Sequence, residues 1–258
     1  MTDGLTDVDL RPAFKAVQED PEGRHSLETS LAPVYEAIRT ADARRVDELA
    51  HLLDRYLPLA ETLVEVDCGP GELLGEQEAV DTFVGVESSP HLLRRAARRV
   101  PVVRGDPRFV PAVDVDAVAA FGYLTAEFDR ADLRSFVTSA LGSLAPGGTL
   151  LFDAPLSARA FDADDFEVTD GGVSVRRTVE VDEGGAGETV RVRDRYELVD
   201  RLGDETVTTE VVRECRTWDV GTVWDVVHDA GYESAVISSG DVEPGAALVV
   251  ASSEAEAP

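Results

Sequence analysis

The chain has 258 residues, 43% of them hydrophobic, and its 51 acidic residues outnumber 24 basic ones to give a formal net charge of −27. That length supports one sizeable core with an insertion or two small domains, and the hydrophobic share excludes a disordered chain. No stretch approaches the ~20 apolar residues that cross a bilayer, and the surplus of acid opposes binding to nucleic-acid phosphates.

The start of the chain carries Asp3, Asp7 and Asp9 without a basic run, so it does not read as a signal peptide. Cys68 and Cys215 cannot build a disulfide framework, and a reduced, cytoplasmic setting is expected. The acids are spread from Asp3 to Glu256 without a block, and Lys15 is the only lysine; every other basic residue is an arginine. This dispersion points to a whole-surface adaptation to molar salt, where repulsion is screened over ~3 Å, rather than to a patch for a basic partner. In this respect the chain resembles proteins of haloarchaea.

The first 25 residues are polar and poorly periodic, and are expected to be partly disordered. Leu27, Leu31, Val34 and Ile38 then recur at helical spacing, as do Val46, Leu49, Leu53 and Leu57, with Pro58 ending the second pattern. From there strands and helices alternate. Leu63–Val66 reads as a buried strand followed by a glycine-rich turn and a short helix, Phe83–Val86 as a second strand and Pro90–Arg99 as a helix. Val100–Val103 and Val115–Phe121 are the third and fourth strands. Leu133, Phe136, Val137, Leu141 and Leu144 mark an amphipathic helix, and Pro146-Gly147-Gly148 is a turn before a fifth strand, Thr149–Asp153. Strands separated by helices imply parallel pairing through right-handed crossovers.

The period then changes to two, from about Val173 to Trp218, with Glu183-Gly184-Gly185-Ala186-Gly187 as a hairpin loop. This is an antiparallel insertion whose apolar face is buried against the core or a second subunit. A helix returns over Val220–Ala230 with Gly231 as its cap, and strands follow near Ser234–Ser238 and Ala246–Ala251. The expected organisation is an N-terminal helical cap over 1–60, a core over 61–155 and 218–258, and a β insertion over 156–217.

Three features carry chemistry. The turn Glu65-Val66-Asp67-Cys68-Gly69-Pro70-Gly71 follows a strand and opens a helix, where glycines let the backbone approach a ligand. Glu87 ends the second strand, where an acid can accept hydrogen bonds from both hydroxyls of a ribose. Gly105-Asp106-Pro107-Arg108 follows the third strand, where an acid can bind an adenine amino group. Each also fits an ordinary turn or surface acid in so acidic a chain.

In this order the features resemble the class I S-adenosylmethionine-dependent methyltransferases. The acidic strand end and glycine-rich loop match Glu65 to Gly71, the ribose-binding acid matches Glu87 within Gly85–Leu93, and the Gly-Asp motif matches Gly105-Asp106. The strand facing the transferred methyl matches Ala117–Phe121, the turn before the fifth strand matches Pro146–Gly148, and the helix ending in Ala-Gly-aromatic matches Ala230–Tyr232. The resemblance implies an α/β, Rossmann-like three-layer sandwich. Its seven-stranded sheet would be parallel through five strands, with an antiparallel strand in the last pair, and the β insertion would form a wall over the site. It implies S-adenosylmethionine as cofactor, a small-molecule acceptor, and cofactor contacts from Glu65, Asp67, Gly69, Gly71, Glu87, Ser88, Asp106, Pro107, Phe121 and Tyr35, the last closing from the N-terminal helices. No metal and no catalytic acid or base is assigned. Asp67 departs from the pattern, standing where the family has its first loop glycine; its carboxylate either crowds the cofactor or meets its ammonium group.

Other candidates have plainer readings. Arg94, Arg95, Arg98 and Arg99 read as a helix face paired with nearby acids, Cys68 as a small loop-packing residue, and the four histidines have no metal spacing. Gly69, Gly71 and Gly75 keep open a nicotinamide-dependent oxidoreductase, and Asp67 a non-catalytic nucleoside or partner-binding protein. A homodimer is also left open.

Overall fold

The computed structural model describes residues 8–75, 80–162, 166–170, 172–239 and 241–254. Three helices lead: α1 (Arg11–Glu19), α2 (Ala32–Ala41) and α3 (Ala43–Tyr56). They are followed by β1 (Thr62–Val66), the short α4 (Glu72–Gly75), β2 (Thr82–Glu87), α5 (Pro90–Ala96), β3 (Val102–Arg104), β4 (Val115–Ala120), α6 (Arg130–Ser143) and β5 (Leu144–Pro155). The insertion strands are β6 (Phe166–Asp170), β7 (Val173–Val181), β8 (Thr189–Asp200) and β9 (Glu205–Arg216), and the chain closes with α7 (Val220–Ala230), β10 (Ser234–Ser238) and β11 (Ala246–Ser252).

The main sheet has seven strands in the order β10-β11-β5-β4-β1-β2-β3. Strands β1 to β5 run parallel, and β11 is antiparallel to both β5 and β10. This is the α/β arrangement expected from the alternation of short apolar runs with helices. One face buries Leu133, Phe136, Val137 and Ala140 of α6 and Val223, Val226 and Val227 of α7; the other buries Leu49, Leu52 and Leu53 of α3 with Leu73 and Leu74. Helix α3 thus forms part of a sheet-covering layer rather than of a separate cap. Helices α5, α6 and α7 start where side chains supply caps: Ser89 accepts from the His91 and Leu92 backbones, Asp129 and Asp132 form a capping box, and Asp219 accepts from the Thr222 backbone. Gly231, at φ 101°, ends α7.

Two expectations need correction. Partial disorder does not hold for Arg11–Glu19: α1 is an amphipathic helix that buries Ala13, Phe14 and Val17 against Val173, Tyr196 and Leu198 of the insertion. Its polar residues and the charged segments on either side masked the period. The helix expected from Leu27 begins only at Ala32, with Pro33 in its first turn.

The insertion is a four-stranded antiparallel sheet, β6-β7-β8-β9, and it begins one strand earlier than the alternation suggested. Along β8 the residues Val190, Val192, Asp194, Tyr196 and Leu198 face inward, while Arg191 and Arg195 are exposed. The apolar face packs on α1, α2 and the turn after β4, so it is the chain's own core that covers it. Among the described residues, no helix is long and apolar enough to cross a membrane.

Candidate active site

The strand order reverses between β1 and β4, which opens a crevice at the carboxyl ends of the strands. There the structure has a cavity of about 1290 Å³ lined by Tyr35, Asp67, Gly69, Glu87, Glu127 and residues of the insertion sheet.

The β1 loop is held in left-handed conformations, with φ 60° at Asp67, 57° at Gly69 and 77° at Gly71. Asp67 adopts this conformation with a side chain because aspartate tolerates it better than most residues. Gly69 lies under Tyr35: a Cβ there would stand 3.3 Å from the Tyr35 ring. Gly71 serves packing, since a Cβ would come within 2.9 Å of Val100. Cys68 is buried and fills the space left by Gly85, whose Cβ would meet its Sγ. Burial pushes the thiol pKa up, as suits a packing residue.

Glu87, 2% exposed, ties the site together. Its Oε2 accepts from the Gly69 backbone N–H (3.0 Å) and its Oε1 from that of Ser89 (2.7 Å). Burial pushes its carboxyl up to about 7, against the lowering pull of the Ser89 and Gly69 N–H groups. Between the ordinary carboxylate range and that value, the folded chain keeps a proton that the unfolded chain has released. The ligand-free protein is therefore expected to lose stability as pH rises from about 5 to about 7.5. Melts followed by circular dichroism test this sign, and a melting temperature that climbs through the same interval would contradict it.

Tyr35 sits on α2 beside Arg39, whose guanidinium lies 5.9 Å from the ring centroid. Arg39 donates to Glu72, and both Glu72 Oε2 and the neighbouring buried Glu65 Oε2 lack hydrogen-bond partners among the described residues. Burial and the nearby Glu72 hold the Glu65 carboxyl well above its ordinary range, and burial together with Glu87 does the same for Asp67. Helix α2 is itself anchored by buried Glu36, which pairs with Arg95 and Arg99 of the α5 region. Part of the arginine cluster thus holds α2 in place.

Four of the ten expected cofactor residues, Tyr35, Asp67, Gly69 and Glu87, line the cavity directly. The other six do not line it: Glu65, Gly71 and Phe121 are buried, and Ser88, Asp106 and Pro107 are also outside its lining. Asp106 is engaged by Arg108, whose hydrogen bonds hold its carboxyl below the usual range, and Arg108 also reaches Asp132.

Several residues that shape this cavity gave no sequence motif. Buried Asp153 at the end of β5 accepts from the Gly122 and Tyr123 backbones (2.9 and 2.8 Å), and the Trp218 indole donates to the Thr125 carbonyl (2.9 Å). These bonds fix the turn that carries Glu127 into the cavity. On the opposite wall Asp194 is fully buried. Arg177 donates to its Oδ1 through Nε (2.8 Å) and Nη2 (2.6 Å), and Arg213 to its Oδ2 through Nε (3.2 Å) and Nη2 (2.8 Å). The available signal was a charge at an inward position on three adjacent strands that otherwise present apolar residues.

No protein-family model and no curated protein matches the sequence. Solved structures do match the fold. DesVI of Streptomyces venezuelae is 21% identical, with a TM-score of 0.72 over 90% of this chain and 100% of that one. A sugar N-methyltransferase of Streptoalloteichus is 23% identical, with a TM-score of 0.69 over 81% and 86% of the two chains. An amino pentose methyltransferase of Micromonospora echinaspora, solved with S-adenosylmethionine bound, is 24% identical, with a TM-score of 0.68 over 85% and 96%. The Rossmann-like fold with an antiparallel insertion is therefore shared with these proteins.

Proposed function

We propose that this chain transfers a methyl group from S-adenosylmethionine to a small-molecule acceptor. The observation that carries the reading is Glu87, a buried carboxylate at the end of β2 that lines the cavity and is bonded to the glycine-rich loop at the switch point of the sheet. The methyltransferases among the structural neighbours, including one with this cofactor bound, support it.

The residues present fit such a cofactor. Glu87 would take the ribose hydroxyls, and the orphaned oxygen of Glu72 with Asp67 would give the ammonium of the cofactor's amino-acid tail its acceptors, with Glu65 buried behind them. Tyr35 would cover the Gly69 loop, and Gly71, Ser88, Asp106, Pro107 and Phe121, none of them in the cavity lining, complete the proposed set, with Asp106 having to leave Arg108 to take part. When bound, the cofactor supplies an electrophilic methyl group. The chain aligns the acceptor with it, excludes water beneath α2 and holds the carboxylates in place; alignment of this kind is worth ~7–11 kcal/mol. Ionised Glu87 is the better acceptor for hydroxyls, so affinity should rise by up to about tenfold per pH unit towards about 7. Calorimetry with S-adenosylhomocysteine and with NAD tests the proposal: the former should bind and the latter should not, and the reverse would favour an oxidoreductase.

Asp67 is proposed as a productive contact to the cofactor's ammonium. In Asp67→Gly the loop loses a left-handed side chain but also a charge-assisted hydrogen bond worth roughly 1.5–3 kcal/mol. Calorimetry at equal salt should show at least about tenfold weaker binding. Tighter binding by the same factor would mean that the carboxylate obstructs the pocket, and would favour a non-catalytic protein.

We also propose a reduced, cytoplasmic, salt-adapted protein that does not bind nucleic acid, supported by two free buried cysteines and the net charge of −27. Self-repulsion dominates where screening is weak. Far-UV circular dichroism should therefore show partial unfolding in dilute buffer and recovery in molar KCl. Identical spectra and melting temperatures in both would remove the halophilic reading. A homodimer, if formed, would have to use a surface other than the inward face of the insertion, which the chain itself covers.

A further inference from the structure

The Arg177–Asp194–Arg213 triad stands on the insertion wall, apart from the strand-end loops assigned to the cofactor. Both Asp194 oxygens are used, yet the Nη1 group of each arginine takes no hydrogen bond among the described residues. Between the same strands lies Tyr196, 0% exposed and lining the cavity. Its buried hydroxyl has no hydrogen-bond partner among the described residues, and it lies within electrostatic reach of Asp194, Arg177 and Arg213. Glu127, which also lines the cavity, is within electrostatic reach of Arg213 but forms no ion pair with it.

Burying such a triad costs desolvation that pairing seldom repays, and apolar residues would fill the wall as well. An orphaned buried hydroxyl adds to that cost. Two arginines against one aspartate leave a single positive charge. A carboxylate neutralises it and offers two oxygens to planar guanidinium groups. A phosphate dianion would overshoot by one charge in a cavity already holding Glu28, Asp67 and Glu127 without ion pairs among the described residues.

We propose that the methyl acceptor is an amino-carboxylate, with its carboxylate held by Arg177, Arg213 and the Tyr196 hydroxyl and its amine placed at Glu127. The proposal rests on the methyl-transfer reading. On transfer the nitrogen lone pair forms the new N–C bond, the C–S bond breaks with its electron pair left on sulfur, and the surplus proton on nitrogen passes to Glu127.

The test uses the full chain in molar KCl, saturated with S-adenosylhomocysteine. Binding of β-alanine, 4-aminobutyrate and 6-aminohexanoate is measured by calorimetry against butylamine and O-phosphoethanolamine. At least one amino-carboxylate should bind, and more tightly than either control. Tyr196→Phe removes only an unpartnered hydroxyl, so it should fold normally and weaken that binding by about tenfold, with affinity for S-adenosylhomocysteine unchanged. Arg213→Lys, which keeps the charge and loses the fork, should weaken it similarly. Equal binding of butylamine, tighter binding of O-phosphoethanolamine, binding of no probe, or an unaffected Tyr196→Phe would each overturn the proposal. Failure of S-adenosylhomocysteine itself to bind would instead strike the methyl-transfer reading.

Discussion

In Glu87→Ala, S-adenosylhomocysteine should raise the melting temperature by little or nothing, whereas in the native protein it should raise it clearly, because a ligand that binds only the folded state stabilises it by mass action. Two charge-assisted hydrogen bonds to ribose hydroxyls, at roughly 1.5–3 kcal/mol each, correspond to a loss of about a hundredfold or more in affinity. The same substitution leaves the Gly69 and Ser89 N–H groups without their acceptor, so the ligand-free protein should also melt lower. Glu87→Gln separates the effects. It keeps the volume and one carbonyl acceptor, so the loop should fold more nearly as in the native protein, but its amide N–H₂ faces an N–H donor and weakens ligand binding. A native-sized shift in folded Glu87→Ala would show that Glu87 is no more than a loop brace and that the cofactor lies elsewhere.

Much of this site was legible because it is local. A strand that ends in an acid, a turn with glycines at Gly69 and Gly71, and an acid at the next strand's end lie close together in the chain, and parallel pairing of β1 with β2 brings them side by side. Period-2 alternation likewise exposed the insertion, and the apolar runs marked the sheet. What stayed hidden depends on long-range partners. Arg39 and Glu72 are ordinary residues of two helices until α2 folds over the loop. Glu127 matters only because Asp153 and Trp218, both distant in sequence, fix its turn. Helix α1 was missed because its apolar face is narrow, and it is the insertion sheet that makes burying that face worthwhile. Asp106 shows the converse. Its motif is local and clear, but Arg108 and Asp132 draw the carboxylate into an exposed ion-pair chain.

The largest loss of stability is expected from Asp194→Ala. Asp194 is the common anion for Arg177 and Arg213, and its side chain is fully buried. Removing it leaves two guanidinium groups without their shared anion in the insertion sheet, between Val192 and Tyr196 on the same face of β8. Breaking a buried pair by deleting one partner costs about 3–5 kcal/mol, a large part of the about 5–15 kcal/mol that holds a domain folded. The arginines are partly open to the cavity, and water reaching them should keep the loss towards the lower end of that range. Denaturant melts in molar KCl should show the midpoint falling with little change in slope. The informative companion is the triple variant Arg177→Met, Asp194→Leu, Arg213→Met, which replaces the charges with apolar side chains. If the triad contributed net stability, the triple variant would be as weak as Asp194→Ala. Because desolvation offsets most of the pairing, it should instead regain native stability or exceed it. That result, together with retained S-adenosylhomocysteine binding and lost amino-carboxylate binding, would show that the chain keeps these three charges for the acceptor and not for the fold. A triple variant no more stable than Asp194→Ala would mean that the triad is structural after all.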